Sequence, residues 1–161
     1  MKKIVLFAVF FFLISLTKAQ TIASWKMKDV VNYFSRKTDS VYVINFWASF
    51  CKPCVAEIPY LQSISKKYAR QKVNLLLVSL DLASFYPAKI ESFTRKNNIG
   101  ARVVWLNETD ADYFCPLIDQ KWSGSIPATV IINASSGYKK LIETEMSEKQ
   151  FEAELKKAME E

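Results

Sequence analysis

Residues Val41–Pro59 read VYVINFWASFCKPCVAEIP. The opening seven, Val41–Trp47, form an apolar, β-rich run of the kind buried on both faces of a sheet. From Lys52 onward, Val55, Ile58, Leu61, Ile64 and Tyr68 recur every three to four positions, which predicts a helix over 52–71. Between strand and helix stands Cys51-Lys52-Pro53-Cys54. A helix start has unpaired N–H groups and a partial positive potential, both of which favour a thiolate. Cys51 is therefore expected to be the exposed nucleophilic thiol, and Cys54 to lie one turn further in, close enough to attack a mixed disulfide. Pro53 suits an early helical position, where its missing N–H is not needed.

The same reading extends outward. Met27, Val30, Val31 and Phe34 at helical spacing predict a helix over 26–38. Val73–Leu80 (VNLLLVSL) is a second buried strand, Ala88–Asn97 a helix that stops before Gly100, and Arg102–Leu106 a short strand. Residues 107–124 are polar and aromatic, with a helical turn expected around Tyr113–Gln120. Ala128–Asn133 (ATVIIN) and Tyr138–Glu143 pair as a hairpin across Ala134-Ser135-Ser136-Gly137. Ser147 and Gln150 make a capping box, and Phe151, Leu155 and Met159 the apolar stripe of a final helix. Strands alternating with helices and closing on a hairpin imply an α/β sandwich around a mixed sheet. The length of 161 residues fits one domain.

Composition narrows the chemistry. The chain has no histidine, which excludes His-based triads, His-ligated metals and a Cys–His protease pair. It has three cysteines. Structural zinc usually needs four Cys/His ligands, so Cys51 and Cys54 are not expected to hold a metal. Cys115 is the odd thiol. It is either a small buried apolar residue or a third reactive group, and no basic neighbour in sequence activates it.

Met1-Lys2-Lys3 followed by the apolar run Ile4–Leu16 has the form of a signal peptide, too short to span a bilayer. Cleavage after Ala19 would leave 20–161 as the folded domain; an uncleaved N-terminal anchor is the alternative. Without Lys2, Lys3 and Lys18 the net charge falls from +6 to +3, which removes most of the case for nucleic acid.

Three motifs in order resemble the thioredoxin-fold family. Asn45–Cys54 (NFWASFCKPC) looks like its active site, and Val55-Ala56-Glu57-Ile58-Pro59 is similar to the exported TlpA/ResA-like subgroup. Pro59 falls where that fold has its helix-kinking proline. Ser125-Ile126-Pro127-Ala128-Thr129 resembles the cis-proline loop. The resemblance implies a thioredoxin fold: a central mixed β-sheet with helices on both faces. The 73 residues from Cys54 to Pro127 leave room for the subgroup's strand–helix insert before the cis-Pro loop, at about 82–106.

The resemblance further implies an exported thiol–disulfide oxidoreductase with Cys51–Cys54 as its redox-active disulfide, more a reductant than an oxidant, periplasmic in a bacterium. Its partners would be protein dithiols or disulfides and a membrane thiol electron donor, with no cofactor, metal or nucleic acid. Glu57, one helical turn beyond Cys54, would shuttle the proton of that thiol, since Asn45 stands where thioredoxin has its buried acid. A solvent-facing Glu57 is the plainer alternative. Trp47, Phe50, Lys52, Pro53, Ile126 and Pro127 would line the substrate groove, with core packing the competing role for Trp47. The rival functions are a thiol peroxidase, a non-catalytic thioredoxin-fold binding module and a copper chaperone. The first needs an Arg beside its cysteine, the second usually lacks a cysteine, and the third usually ligates through His.

Overall fold

The computed structural model describes residues 21–35 and 38–160. The expected signal segment, 1–19, lies outside them. Along the chain run β1 (Ala23–Trp25), α1 (Met27–Phe34), β2 (Val41–Trp47), α2 (Lys52–Lys67), β3 (Val73–Ser79), α3 (Ala88–Lys96), β4 (Arg102–Leu106), α4 (Ala111–Ile118), β5 (Ala128–Asn133), β6 (Tyr138–Ile142) and α5 (Glu148–Glu160). The six strands form one sheet in the order β1-β4-β3-β2-β5-β6. β2 lies at its centre, parallel to β3 and antiparallel to β5.

Every residue of β2 is buried, because the sheet is covered on both sides. Tyr42, Ile44 and Phe46 point into a core shared with Met27 and Val30 of α1 and Phe114 and Ile118 of α4. Val41 and Val43 point the other way, against Leu61 and Ile64 of α2 and Phe151 and Leu155 of α5. Trp47 shares that second face with Cys54, Ile58 and Ile90 of α3. Asn45 lies between Val43 and Trp47 in the same every-second-residue row and so faces α2 as well, where it meets Glu57.

The elements expected from periodicity are present, with three differences. β1 was not anticipated. It is three residues long, mostly exposed, and becomes a strand only by pairing with β4. The helix expected over 52–71 stops at Lys67, and Ala69–Gln71 tighten into a 3-10 turn whose cap, Lys72, has φ 59°. Residues 111–118 form a full helix capped by the Asp110 side chain, with Pro116 inside it. The insert runs helix then strand, α3 then β4, and β4 lies between β1 and β3 in the sheet.

Candidate functional site: a disulfide at the start of a helix

Cys51 is the N-cap of α2, and the Cys54 N–H donates to its sulfur at 3.3 Å. Pro53 sits in the first turn. Cys51 and Cys54 are joined by a disulfide with their Cα atoms 5.3 Å apart. The two sulfurs differ in access: Cys51 is half-buried and Cys54 is wholly buried. Phe50 is 63% exposed beside them, and Lys52 and Pro53 are exposed too. They are the exposed residues that flank Cys51 in the chain.

Two sequence-chosen residues come close from another part of the chain. Ile126 is half-buried and packs, as Cys51 does, against the cluster that holds Cys54 and Trp47. Pro127 follows it, buried, and the Ile126–Pro127 bond is cis. Trp47 requires a correction. It does not line a groove but lies wholly inside the core, its ring 5.6 Å from that of Phe93. The reason is the insert: α3 covers the end of β2 on the side where Trp47 points.

Glu57 is wholly buried, which overturns the solvent-facing alternative. It lies on α2 one turn after Cys54, a spacing that brings Cβ atoms to about 5–6 Å. Its Oε1 accepts from Asn45 Nδ2 at 2.6 Å, and its Oε2 from the Met146 N–H at 3.4 Å. Asn45 Nδ2 also donates to Thr129 Oγ1 at 3.0 Å. Burial pushes the Glu57 carboxyl up to about 7, and the bonds from Asn45 and Met146 pull only part of the way back. The carboxyl can therefore hold or release a proton near neutral pH. Tyr60, one turn further, donates to the Met146 carbonyl; burial, with Glu57 nearby, raises its phenol to about 12.

Sequence reasoning found Glu57 but not what holds it. Thr129 stands two residues after Pro127 and carried a signal only through that motif. Nothing in the sequence pointed to Met146, since a main-chain donor leaves no compositional trace. Cys115 lies in α4, buried and free, away from the pair. Burial, then Glu143 and Asp112, push its thiol up to about 11. Among the described residues no cluster of His, Cys, Asp and Glu is arranged to hold a metal ion, and no helix is long and apolar enough to cross a membrane.

Comparison with known proteins follows the same lines. The pattern of the AhpC/TSA family matches residues 15–136. The thiol-disulfide oxidoreductase ResA of Oceanobacillus iheyensis is 46% identical over 39 residues, 24% of this chain and 20% of that protein. ResA of Geobacillus thermodenitrificans is 25% identical over 112 residues, 70% of this chain and 59% of that protein. The chain thus spans less than two thirds of the length of these relatives. Among solved structures, a thioredoxin-related protein from Neisseria meningitidis serogroup B superposes with a TM-score of 0.66 at 22% identity, covering 80% of this chain and 91% of that one. The mixed six-stranded sheet with helices on both faces is thus a thioredoxin-like fold.

Proposed function

This chain belongs to the AhpC/TSA family, and we propose that it is an exported thiol–disulfide oxidoreductase working as a reductant of protein disulfides. One observation carries the reading: the Cys51–Cys54 disulfide caps α2 with one sulfur accessible and the other enclosed. In the reduced protein the Cys51 thiolate attacks one sulfur of a substrate disulfide. A mixed disulfide forms and one substrate thiolate leaves, taking a proton from solvent. Cys54 then loses its proton to Glu57 and attacks the Cys51 sulfur. The second substrate thiolate leaves, and two electrons have passed from the protein dithiol to the substrate.

Glu57 suits the second step because the attack occurs in a covered, poorly solvated site. Desolvation disfavours the Cys54 thiolate, and a carboxylate poised near 7 supplies the missing base. Ile126, beside the cis bond, offers main-chain groups for a substrate strand, and Phe50, Lys52 and Pro53 are its exposed contact residues. Re-reduction requires a dithiol donor, for which an exported protein would draw on a membrane thiol carrier. The basic start and apolar run of residues 1–16 support export, with a bacterial periplasm as the destination.

A peroxidase would need an arginine beside its cysteine, and the structure shows other roles or places for the arginines among the described residues. Arg102 stacks on Trp25 and Tyr33, at 4.8 and 5.4 Å, Arg70 lies in the 3-10 turn after α2, and Arg95 ends α3. The deciding experiment is equilibration with defined glutathione mixtures, alongside a peroxide-consumption assay with dithiothreitol. A potential near −270 mV supports a reductant, and one near −120 mV would make the protein an oxidant. Rapid peroxide turnover without disulfide exchange would replace the reading by the peroxidase.

A further inference from the structure

Asp81 stands two residues after the end of β3 and is only 4% exposed, yet the exchange steps above make no use of it. Its carboxylate is gripped by donors from two segments. The Ser49 N–H donates to Oδ1 at 3.0 Å and to Oδ2 at 3.2 Å, and Ser49 Oγ donates to Oδ1 at 2.6 Å. Ser79 Oγ donates to Oδ2 at 2.7 Å. Asp81 is itself immobilised. Its N–H donates to Ser79 Oγ at 3.1 Å, and its carbonyl accepts from Trp105 Nε1 of β4 at 2.8 Å. The preceding Leu80 N–H reaches the Trp47 carbonyl at 2.7 Å. Ser49, in turn, lies inside the turn that the Cys51 N–H closes on the Ala48 carbonyl at 3.0 Å. An anchored carboxylate on one strand end therefore holds the turn that delivers Cys51 from the next.

We propose that Asp81 is a positioning residue for disulfide exchange: its carboxylate fixes the Ala48–Cys51 turn that presents the Cys51 sulfur, and its charge weights the balance between the dithiol and the disulfide. The proposal rests on Cys51 being the attacking thiol. Residues two apart have Cα atoms no more than about 7 Å from one another, so the charge held at Ser49 acts on Cys51 at roughly 10 Å or less, within a Debye length at moderate salt. A negative charge there disfavours the thiolate and hence the reduced protein, which makes the dithiol a stronger donor of electrons. The donors from Ser49 and Ser79 offset part of that charge. Lys52 and the N-terminus of α2 favour the thiolate, and they are the same in every variant below.

Two substitutions should move the equilibrium in opposite directions. Asp81→Asn keeps the size and removes the charge, and it turns an NH2 group towards donors. It should raise the equilibrium constant for reduction by glutathione at pH 7 by about tenfold, equivalent to about 30 mV. It should also slow turnover severalfold, because the turn is no longer held. Ser49→Ala leaves the carboxylate in place and removes one offsetting donor, so the same constant should fall by about threefold. Loosening of the turn alone would shift both variants the same way.

The measurement is the disulfide fraction of the full chain in glutathione mixtures, with folding checked by circular dichroism. Constants within twofold of the wild type, or shifts of one sign in both variants, overturn the proposal. If Asp81→Asn does not fold, the sign of the Ser49→Ala shift decides. A wild-type protein that exchanges nothing with glutathione overturns the functional reading and this proposal together. A wild type that exchanges while both variants match it overturns the proposal alone.

Discussion

Asn45 and Glu57 meet in the closed interior between β2 and α2, the Asn45 Nδ2 donating to Glu57 Oε1 at 2.6 Å. The strand residue cannot exchange protons, and the helix residue can. The same amide group donates to Thr129 Oγ1, while Asn45 Oδ1 has no hydrogen-bond partner among the described residues. An ionised Glu57 takes the amide donor as it stands. A protonated one has an acceptor available in Oδ1 once the amide turns over. Asn45 can thus serve both protonation states of its neighbour.

Glu57→Gln keeps the size and the Asn45 contact while removing the titrating group. Turnover should fall on the order of 10–100-fold, the lower part of the range for a lost acid–base group. The pH–rate profile should lose the ionisation near 7. Alkylation of Cys51 should change less, since the start of α2 governs that thiol. An unchanged rate and profile in a folded variant would leave Glu57 a packing residue.

Glu57 also makes stability depend on pH. Its folded value, about 7, exceeds its ordinary value of 4.5, so the folded state binds the proton more tightly. Below about 4.5 both states are protonated and the group costs nothing. As pH rises from 4.5 to 7 the unfolded chain gives up its proton first, and stability declines, on the order of 3 kcal/mol in all. Urea midpoints of the oxidised protein should drop across this window in the wild type, and the Glu57 contribution should be absent in Glu57→Gln.

The accessible and enclosed sulfurs should divide the labour. Cys51→Ser should abolish turnover. Cys54→Ser should accumulate mixed disulfides with substrate, visible as an added mass that dithiothreitol removes. Faster alkylation at Cys54 than at Cys51 in the reduced protein would reverse the assignment.

Cys115→Ala tests the third thiol. Cys115 is buried against Gly124, where a Cβ would lie 3.7 Å from its sulfur, and burial holds the thiol up at about 11. Disulfide turnover should stay within about threefold. Stability should fall by about 1 kcal/mol, the cost of a methyl-sized void. A tenfold loss of turnover in the folded variant would make Cys115 part of the chemistry.

The site was legible in the sequence where one stretch of chain carries both position and chemistry. Val41–Trp47 and the helix after it are marked by apolar runs, and the two cysteines mark their junction. Cys51, Cys54 and Glu57 followed from spacing on one helix together with the family resemblance. Asp81 was not legible. An aspartate after a strand reads as an ordinary loop residue, and its role exists only because Ser49, on another segment, faces it. Trp47 was ambiguous for a related reason: whether its face is covered depends on α3, which follows it by some forty residues. β1 has too few residues to show a period, and its partner strand makes it a strand.

That last pairing sets an order of assembly. Among the described residues Ala23, Ser24 and Trp25 pair with Val104, Trp105 and Leu106, the Asn107 N–H donates to the Trp25 carbonyl at 2.8 Å, and the Met27 N–H reaches Glu108 Oε2 at 2.8 Å. This early strand waits for partners made about eighty residues later. Its docking closes one of the longest loops in the molecule, and such closures come late because their entropy is lost before the contacts reward it. A chain halted before residue 102 can pair β2 with β3 but leaves β1 without its partner strand until β4 arrives.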